Sequence, residues 1–358
     1  MRGSRRSVGL GWVLAAAAAI SGLAAGAARA QLPHPPPPPT VPETEPAPPA
    51  QDDDSLTLSG DLVLVPVAVR RDRGGAVTDM QASEFRVLED GAVQQVAFFN
   101  RDVAPIDVVL LVDGSGSVEY LIDVIQSAAL SFIRQLRPDD RFSIVTFADL
   151  PVIRLDWSSD VKAATEALRS IEPKGNTALY GSAVAVLYER FDASPVGRRR
   201  AVVVLSDGDD TISTVTSRVA ARAAQMHDAS VYVVSIGRIL ASRYDEFART
   251  NVIPMAKRME FRASAERLRR SEERLEYLAA QTGGRVLFPK QLGDLKDAYA
   301  EIAGEIRSRY LIGYYPPPDA ARGFHAIGVT TPRKGVTLHA RQGYFRDGDG
   351  EAAPDSNP

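Results

Sequence analysis

Two kinds of hydrophobic pattern divide this chain of 358 residues. Between residues 104 and 308, short runs of β-branched and other apolar residues alternate with amphipathic stretches of helical period. In the flanking segments at 56–103 and 309–346, apolar and polar residues alternate, as in strands with one buried face. The central pattern predicts a doubly wound, mainly parallel α/β sheet, and the flanking pattern predicts short antiparallel strands.

The strands of the predicted α/β domain are apolar at almost every position, which is typical of strands that helices cover on both faces. The first is Ile-Asp-Val-Val-Leu-Leu-Val-Asp at Ile106–Asp113. Further strands are predicted at residues 141–147, 201–207, 231–237 and 285–288, with an antiparallel edge strand at 152–155. Helices are predicted at residues 118–136, 160–171, 179–191, 214–227, 275–281 and 292–308.

The flanking regions contain several short strands joined by tight turns. The N-terminal strands are predicted at 62–69, 85–90 and 93–99, with turns at 73–75 and at Asp90-Gly91. The C-terminal strands are predicted at 309–315, 324–330 and 336–341. Because the N-terminal group is too short for a stable sandwich alone, we predict that both ends pair into one small β-sandwich beside the α/β domain.

The predicted organisation has six parts. They are an export signal at 1–30, a proline-rich linker at 31–55, an N-terminal β module at 56–103, the α/β domain at 104–308, C-terminal β strands at 309–346 and a disordered tail at 347–358. The linker is dense in proline, which favours an extended polyproline spacer over a packed element.

The first thirty residues have the pattern of a secretory signal peptide. Three arginines precede an alanine-rich apolar run, and Ala28-Arg29-Ala30 provides a small-residue cleavage site before Gln31. We therefore predict export to the periplasm, the extracellular space or the cell envelope of a bacterium, without a stable transmembrane segment after cleavage. An uncleaved membrane anchor is the alternative, since the apolar run approaches spanning length.

The amino-acid composition argues against several classes of protein and of binding site. The formal net charge is −3, and the short arginine-rich segments are interleaved with glutamate, so the chain lacks the basic field of a nucleic-acid binder. No cysteine is present, which excludes disulfide bonds and lipid attachment through an N-terminal cysteine. The lack of a cysteine or histidine cluster also argues against a zinc site.

Oxygen-bearing side chains follow two of the predicted strands and one loop. Asp113, Ser115 and Ser117 come on alternate residues at the end of the first strand, Thr177 precedes a helix, and Asp207 ends a later strand. Taken singly, the serines could form an ordinary turn, the threonine could cap its helix, and Asp207 could belong to a turn. The loop of Asp113, Ser115 and Ser117 can aim three oxygens at one point, which predicts a site for a hard divalent cation such as Mg²⁺.

This combination resembles the metal-ion-dependent adhesion site of von Willebrand factor type A domains. The resemblance implies that Ser115 and Ser117 bind Mg²⁺ directly, with Mn²⁺ or Ca²⁺ as alternatives, and that Thr177, Asp113 and Asp207 contribute directly or through water. It also implies a protein partner whose Asp or Glu completes the shell of the cation. Residues expected to shape or surround the site are Gly114, Gly116, Gly175, Asn176, Gly208, Asp209 and Asp210.

The flanking segments resemble a bacterial group of exported proteins related to von Willebrand factor A, seen especially in acidobacteria. The segments concerned are Phe85-x-Val-x-Glu-Asp-Gly91, Tyr310-Leu-Ile-Gly-Tyr-Tyr-Pro316 and Arg341-x-Gly-Tyr-Phe345. The resemblance implies architecture and export more than a defined ligand, and the oligomeric state stays open.

One stretch, at residues 238–274, is longer than the resemblance requires. It contains a heavily charged part at 260–274, which predicts a solvated helix that projects from the surface. The alternative is a partner-docking element near the predicted metal site, since this stretch leaves the end of a strand.

The sequence therefore predicts a non-catalytic binding protein for adhesion or envelope complex assembly. Phosphate-transferring hydrolases of the Asp-x-Asp type need a second carboxylate where this chain has Ser115, and no histidine stands at a predicted strand end beside the serines. The competing interpretation is an envelope scaffold that binds through its β-sandwich or its charged insertion, with a metal that is only structural.

Overall fold

The computed structural model describes residues 62–346, except 73, 102–103, 193, 196, 251 and 318–320. The predicted export signal, proline-rich linker and disordered tail lie outside these described residues. Within the described ranges, no helix is both long and apolar enough to cross a lipid bilayer.

Fourteen strands and seven α-helices occur in the described part of the chain. The strands are β1 (Val63–Arg71), β2 (Arg86–Glu89), β3 (Ala92–Gln94), β4 (Phe98–Arg101), β5 (Ile106–Asp113), β6 (Arg141–Phe147), β7 (Pro151–Ser158), β8 (Arg199–Ser206), β9 (Ala229–Ser235), β10 (Val286–Leu287), β11 (Arg309–Tyr314), β12 (Gly323–Thr330), β13 (Val336–Ala340) and β14 (Gly343–Arg346). The helices are α1 (Ile122–Ile133), α2 (Val161–Arg169), α3 (Leu179–Phe191), α4 (Ser217–Met226), α5 (Gly237–Arg249), α6 (Met255–Gln281) and α7 (Leu295–Arg307). Short 3₁₀ helices cover Ala82–Glu84, Gly116–Leu121 and Leu292–Asp294.

The central sheet has the strand order β10-β9-β8-β5-β6-β7. Every pair is parallel except β6 with β7, which is antiparallel as predicted for the edge strand. Strand β5 lies between β6 and β8, so the direction of winding reverses beside it, which is where open α/β sheets bind ligands. The predicted doubly wound, mainly parallel sheet is confirmed.

Strand β5 is buried along its whole length because its two faces serve two different cores. Val108, Leu110 and Val112 belong to the core that also includes residues of α1, α2 and α7. Val109 and Leu111 belong to the core on the opposite face, with residues of α3 and α4. This is why the run lacks the alternation of a strand with one wet face.

Strands from both ends of the described chain form two further four-stranded sheets, in the orders β13-β1-β11-β4 and β14-β12-β2-β3. All their pairings are antiparallel, and each sheet mixes strands that precede and follow the α/β domain. Val65, Val67, Phe85, Tyr310 and Ile327 lie in their shared core. The predicted pairing of the two ends is therefore confirmed.

The turn at Asp90-Gly91 is a two-residue hairpin between β2 and β3. Its residues have φ of 48° and 84°, both in the left-handed region, and Glu89 pairs directly with Ala92. Asp-Gly suits such a turn because glycine has no Cβ and aspartate tolerates this conformation. The hairpin prediction is confirmed.

The prediction of one strand at 93–99 is wrong. The structure divides this stretch between β3, which pairs with β2, and β4, which pairs with β11 in the other sheet. Residues 95–97 cross from one sheet to the other. The alternation of apolar and polar residues indicates a strand, but it contains no signal for a change of partner strand.

The prediction that the charged stretch projects into solvent is also wrong. It is helical, but α6 runs from Met255 into the predicted helix at 275–281 without a break, and it packs against α5. Its buried residues include Ala265, Leu268, Ser271 and Leu275. These follow one face at helical spacing, and the small size of Ala265 and Ser271 hides that face in a hydrophobicity pattern.

A buried histidine links β12 to the hairpin of the other end. Nδ1 of His325 lies 2.7 Å from Oδ2 of Asp90 and 3.3 Å from Oε1 of Glu89, and Nε2 lies 2.7 Å from the carbonyl oxygen of Ala321. Ligand-type atoms of the three ionisable side chains lie within 4.8 Å of one another. Because both ring nitrogens face acceptors, a charged imidazolium donating from both sides accounts for the arrangement.

We expect His325→Gln to destabilise the protein more at about pH 5.5 than at about pH 9. Burial acts to lower the pKa of His325, but the Ala321 carbonyl and the Asp90 carboxylate outweigh it, so the pKa is raised. A raised histidine pKa contributes stability that is full below the unfolded pKa and is lost as the pH rises through the folded pKa. Urea unfolding at both pH values measures this difference, and an equal loss at both would contradict a charged His325.

Candidate metal centre

The predicted site lies at the carboxyl edge of the central sheet. Asp113 ends β5, and Asp207 directly follows β8, the parallel neighbour of β5. Adjacent parallel strands end at the same edge of a sheet, and this brings the two aspartates together. Ser206, the residue before Asp207, is 93 positions from Asp113 in the chain. The loop between α2 and α3 adds Thr177 to this edge.

Asp113 is fully buried and held by two hydrogen bonds. Its Oδ1 accepts from the backbone N–H of Ser115 at 2.9 Å, and its Oδ2 accepts from the hydroxyl of Ser206 at 2.6 Å. Ser206 Oγ in turn accepts from the N–H of Gly208 at 3.0 Å. Ser206 was not among the predicted site residues, and its position just before Asp207 is the one sequence signal for its role.

The hydroxyl groups of Ser115 and Ser117 lie next to each other. Ser115 Oγ and Ser117 Oγ are 3.0 Å apart. Backbone bonds join this loop to the one that carries Thr177, since the Gly116 N–H donates to the Gly175 carbonyl at 3.2 Å and the Lys174 N–H donates to the Gly114 carbonyl at 2.8 Å. The loops are thus held together as one unit by their main chains.

Thr177 is held by its backbone. Its N–H donates to Thr211 Oγ1 at 3.0 Å, and its carbonyl accepts from the Thr211 N–H at 2.9 Å. Ala178 occupies the N-cap position of α3, so the hydroxyl of Thr177 is not the helix cap. The side chain of Thr177 instead lines the cleft shared with the two serines.

A cleft of about 200 Å³ collects these groups. From the predicted set, it is lined by Ser115, Ser117, Gly175, Asn176, Thr177, Asp207 and Asp209. Asp113 and the remaining predicted residues do not line it. The other lining residues are Thr211, Tyr244, Ser264, Arg267 and Leu268.

The electrostatics of the two deep carboxylates are unusual. Burial raises the pKa of Asp113, and burial together with the charge of Asp113 raises the pKa of Asp207 to about 7. Neither carboxylate forms an ion pair with a described residue. Buried carboxylates are normally paired with a cation, so two of them beside hydroxyl oxygens are a donor set that fits a hard divalent ion such as Mg²⁺.

The surrounding glycines act through the backbone. Gly175 has φ of +84°, and a Cβ there would lie 2.4 Å from Oδ2 of Asp149. The same aspartate accepts from the backbone N–H of Asn176 at 3.1 Å and from its side-chain amide at 2.9 Å. Asp149 therefore fixes the loop that carries Thr177, and sequence reasoning did not find it.

The two aspartates after Gly208 have separate roles. Asp209 lines the cleft, and its N–H donates to Oδ1 of Asp207 at 3.0 Å. Asp210 points away from the cleft and accepts from the N–H groups of Tyr180 and Ser213, both at 2.9 Å. Asp210 thus satisfies a free N–H in the first turn of α3.

One wall of the cleft comes from the α5 and α6 hairpin. Tyr244 of α5 and Ser264, Arg267 and Leu268 of α6 line it. The alternative prediction that this charged stretch lies near the predicted metal site is therefore correct in position. None of these four residues was among the predicted site residues, since only folding brings α6 across the edge of the sheet.

The strand order and the oxygen-lined cleft define an α/β domain of the class that binds ligands at the carboxyl edge of its sheet. The family model described as von Willebrand factor type A domain matches residues 107–267. These residues are therefore a von Willebrand factor type A domain, as the sequence motifs predicted. No curated protein sequence matches the chain.

Solved structures with a related fold come from several organisms. A von Willebrand factor type A protein from Catenulispora acidiphila is 14% identical over 80% of this chain and 74% of that chain, with a TM-score of 0.45. An aerotolerance-related membrane protein from Bacteroides fragilis is 17% identical over 56% and 98%, with a TM-score of 0.39. BatB from Bacteroides thetaiotaomicron is 18% identical over 56% and 99%, with a TM-score of 0.38. The family assignment rests on the family model and not on these similarities.

Proposed function

We propose that this protein is an exported, non-catalytic binding protein that uses a divalent cation to capture an acidic residue of a protein partner. A von Willebrand factor type A domain suggests a role in protein–protein interaction. The observation that supports the metal-dependent form most directly is the pair of buried carboxylates, Asp113 and Asp207, beside the oxygens of Ser115, Ser117 and Thr177. The proposed setting is adhesion or assembly of an envelope complex.

Two of the proposed ligands, Asp113 and Thr177, are held by hydrogen bonds to other parts of the chain. Ser115 and Ser117 would hold Mg²⁺ directly, with Mn²⁺ or Ca²⁺ as alternatives, and Thr177, Asp113 and Asp207 would hold it directly or through water. The bonds to Asp113 and to the backbone of Thr177 keep these residues in position before any ion binds. Because the serine hydroxyls are neutral, an ion bound directly by them would stay more electrophilic than one bound directly by carboxylates, which favours binding of a partner's carboxylate.

The described residues that line the cleft include no histidine, lysine or cysteine, so neither serine there belongs to a Ser–His or Ser–Lys pair of the kind that activates a nucleophile. We therefore keep the prediction that the protein is not an enzyme. Export continues to rest on the signal pattern at residues 1–30.

A second candidate function is binding through the tip of the α5 and α6 hairpin, independent of metal. Four large apolar side chains are exposed there: Phe247 by 45%, Val252 by 90%, Met255 by 60% and Met259 by 60%. These four residues lie within one short segment of the chain, and exposed apolar patches are typical of interaction surfaces. This candidate corresponds to the scaffold interpretation of the sequence.

A random-peptide display selection against the immobilised full chain distinguishes the two. With Mg²⁺ we expect enrichment of peptides that contain Asp or Glu, and we expect chelator to abolish it. Thr177→Ala should weaken Mg²⁺ binding by about tenfold or more and remove the enrichment. The matched control is Thr330→Ala, an exposed threonine of the β-sandwich, which should behave as the unaltered chain.

Two results would contradict the metal-dependent proposal. The first is enrichment that survives chelator and favours apolar peptides, which would support the hairpin tip instead. The second is acidic enrichment that Thr177→Ala leaves intact while circular dichroism shows the variant to be folded.

A further inference from the structure

Helix α6 lies close against the loop that carries Asp207. Gly208 has φ of +85°, and a Cβ at this position would lie 2.7 Å from Cδ1 of Leu275 and 2.9 Å from Oγ of Ser271. A Cβ on Gly237, the first residue of α5, would lie 2.5 Å from the carbonyl oxygen of Asp207. The absence of side chains at these two glycines allows the hairpin to reach the cleft.

This packing brings Arg267 to the rim of the cleft. Its Nε lies 3.2 Å from Oδ2 of Asp209, and its Nη2 lies 3.1 Å from Oγ of Ser264. Its Nη1 makes no hydrogen bond with a described residue. The side chain is 52% exposed, so a guanidinium held on two sides keeps one edge open to a ligand.

The charges in the cleft indicate which kind of group the free donors of Arg267 could bind. The cleft and its floor contain three carboxylates, on Asp113, Asp207 and Asp209. A divalent cation offsets the first two, and Arg267 is paired with the third. A ligand with a single carboxylate on the cation would leave the free donors of Arg267 facing solvent, whereas a second carboxylate could accept from them.

A second positively charged side chain, Arg243, lies close to the same rim of the cleft. The guanidinium of Arg243 in α5 lies over the ring of Tyr120 at 5.5 Å, and Tyr120 follows the serine loop by three residues. Arg243 and Arg267 thus both belong to the hairpin and both lie next to the metal loop or its cleft. Their charges favour a ligand that is acidic at more than one position.

We propose that Arg267 is a specificity residue that binds a second acidic side chain of the partner, so that the cleft selects segments with two neighbouring carboxylates. This inference rests on the proposed function, because the first carboxylate is taken to bind the metal. In this proposal the α5 and α6 hairpin selects the ligand, and the loops that carry the serines and Thr177 bind the cation.

The test uses two synthetic peptides and the Mg²⁺-loaded full chain. One probe is a glycine peptide with a single Asp, and the other has two Asp residues separated by one glycine. Calorimetry should show that the unaltered chain prefers the second probe by about tenfold, since hydrogen bonds between charged groups contribute most strongly. In Arg267→Gln the preference should fall to about twofold or less, with the Mg²⁺ affinity unchanged.

Two further variants isolate the guanidinium. Arg270→Gln removes an exposed arginine one turn further along α6, which pairs with Glu266 and does not line the cleft, and should keep the full preference. Asp209→Ala removes the carboxylate that accepts from Arg267 Nε and should increase the preference. If the preference in Arg267→Gln equals that of the unaltered chain, the inference is wrong.

Failure of the inference is distinguishable from failure of the proposed function. If the unaltered chain binds both probes equally, and only with Mg²⁺, the proposed function stands and Arg267 has no role in selection. If it binds Mg²⁺ but neither probe, or binds both without metal, the proposed function is wrong and the inference falls with it.

Discussion

Replacing Asp113 by asparagine is expected to reduce the affinity for Mg²⁺ by about 100-fold or more while the domain stays folded. Asparagine has nearly the same shape, so its carbonyl can still accept from the Ser115 N–H and its amide can donate to Ser206 Oγ. What the variant loses is one of the two buried negative charges that a divalent ion would offset. Asp207 alone would then hold the ion with neutral oxygens.

Titration calorimetry of Mg²⁺ and Mn²⁺ into the chelator-treated protein measures this loss. The unaltered protein should also gain unfolding free energy from the ion, about 2.7 kcal/mol when the free ion is at 100 times its dissociation constant. Asp123→Asn is the matched control, since Asp123 is exposed in the first turn of α1. Unchanged Mg²⁺ affinity in a folded Asp113→Asn variant would rule out this site.

Asp107→Ala is expected to lower the unfolding free energy by about 3–5 kcal/mol, the range for breaking a buried ion pair from one side. Asp107 belongs to the same strand as Asp113 but lies at its opposite end, with no exposed surface. Its carboxylate accepts from Arg141 Nε at 3.0 Å, from Ser194 Oγ at 2.7 Å, and from Nε of Arg198. Alanine would leave the two partly buried guanidinium groups without the carboxylate that pairs with them.

The pH dependence gives an independent check on Asp107. Burial acts to raise its pKa, but hydrogen bonds from Arg141, Ser194 and Arg198 outweigh this, and the pKa is lowered from its ordinary 3.8. A lowered carboxyl pKa contributes stability that is present above the unfolded pKa and is lost as the pH falls through the folded pKa. The difference between Asp107→Ala and the unaltered protein should therefore shrink in acid.

Urea unfolding monitored by circular dichroism measures both effects. The matched control is Asp79→Ala, which removes an exposed aspartate paired with Arg333 and should leave the unfolding midpoint nearly unchanged. An equally small effect of Asp107→Ala would show that the network at this end of β5 is not needed for stability.

Much of the α/β domain could be predicted because its signals are local. Strand β5 is apolar throughout, helix α3 follows the predicted bounds of 179–191, and Asp160 accepts from the Lys162 N–H as the acidic cap of α2. Each of these depends on side chains within a few residues of one another. The division of residues 93–99 between two sheets depends on which distant strand each half meets, and no local pattern contains that information.

In the candidate site, too, some residues could be predicted from the local sequence and others depend on the fold. Ser115 and Ser117 lie on a loop directly after a buried strand, so their place at the edge of the sheet follows from the chain itself. Ser206 and Asp149 act by orienting other groups across the fold, and their sequence neighbourhoods do not reveal those partners. Arg267 belongs to a stretch whose sequence predicts a solvated helix, and only the packing of α6 against the rest of the domain brings it to the cleft.

By itself, the sequence determined the alternation of strands and helices and the oxygen-bearing residues at strand ends, because periodicity and turn chemistry act over a few residues. It also determined that both ends of the described chain supply strands for one sandwich. The tertiary structure decided which strands are neighbours, that Asp113 lies close enough to Asp207 for its charge to raise the pKa of Asp207, and where α6 lies. Those outcomes depend on long-range packing and on the free energy of burying charge, which no short segment contains.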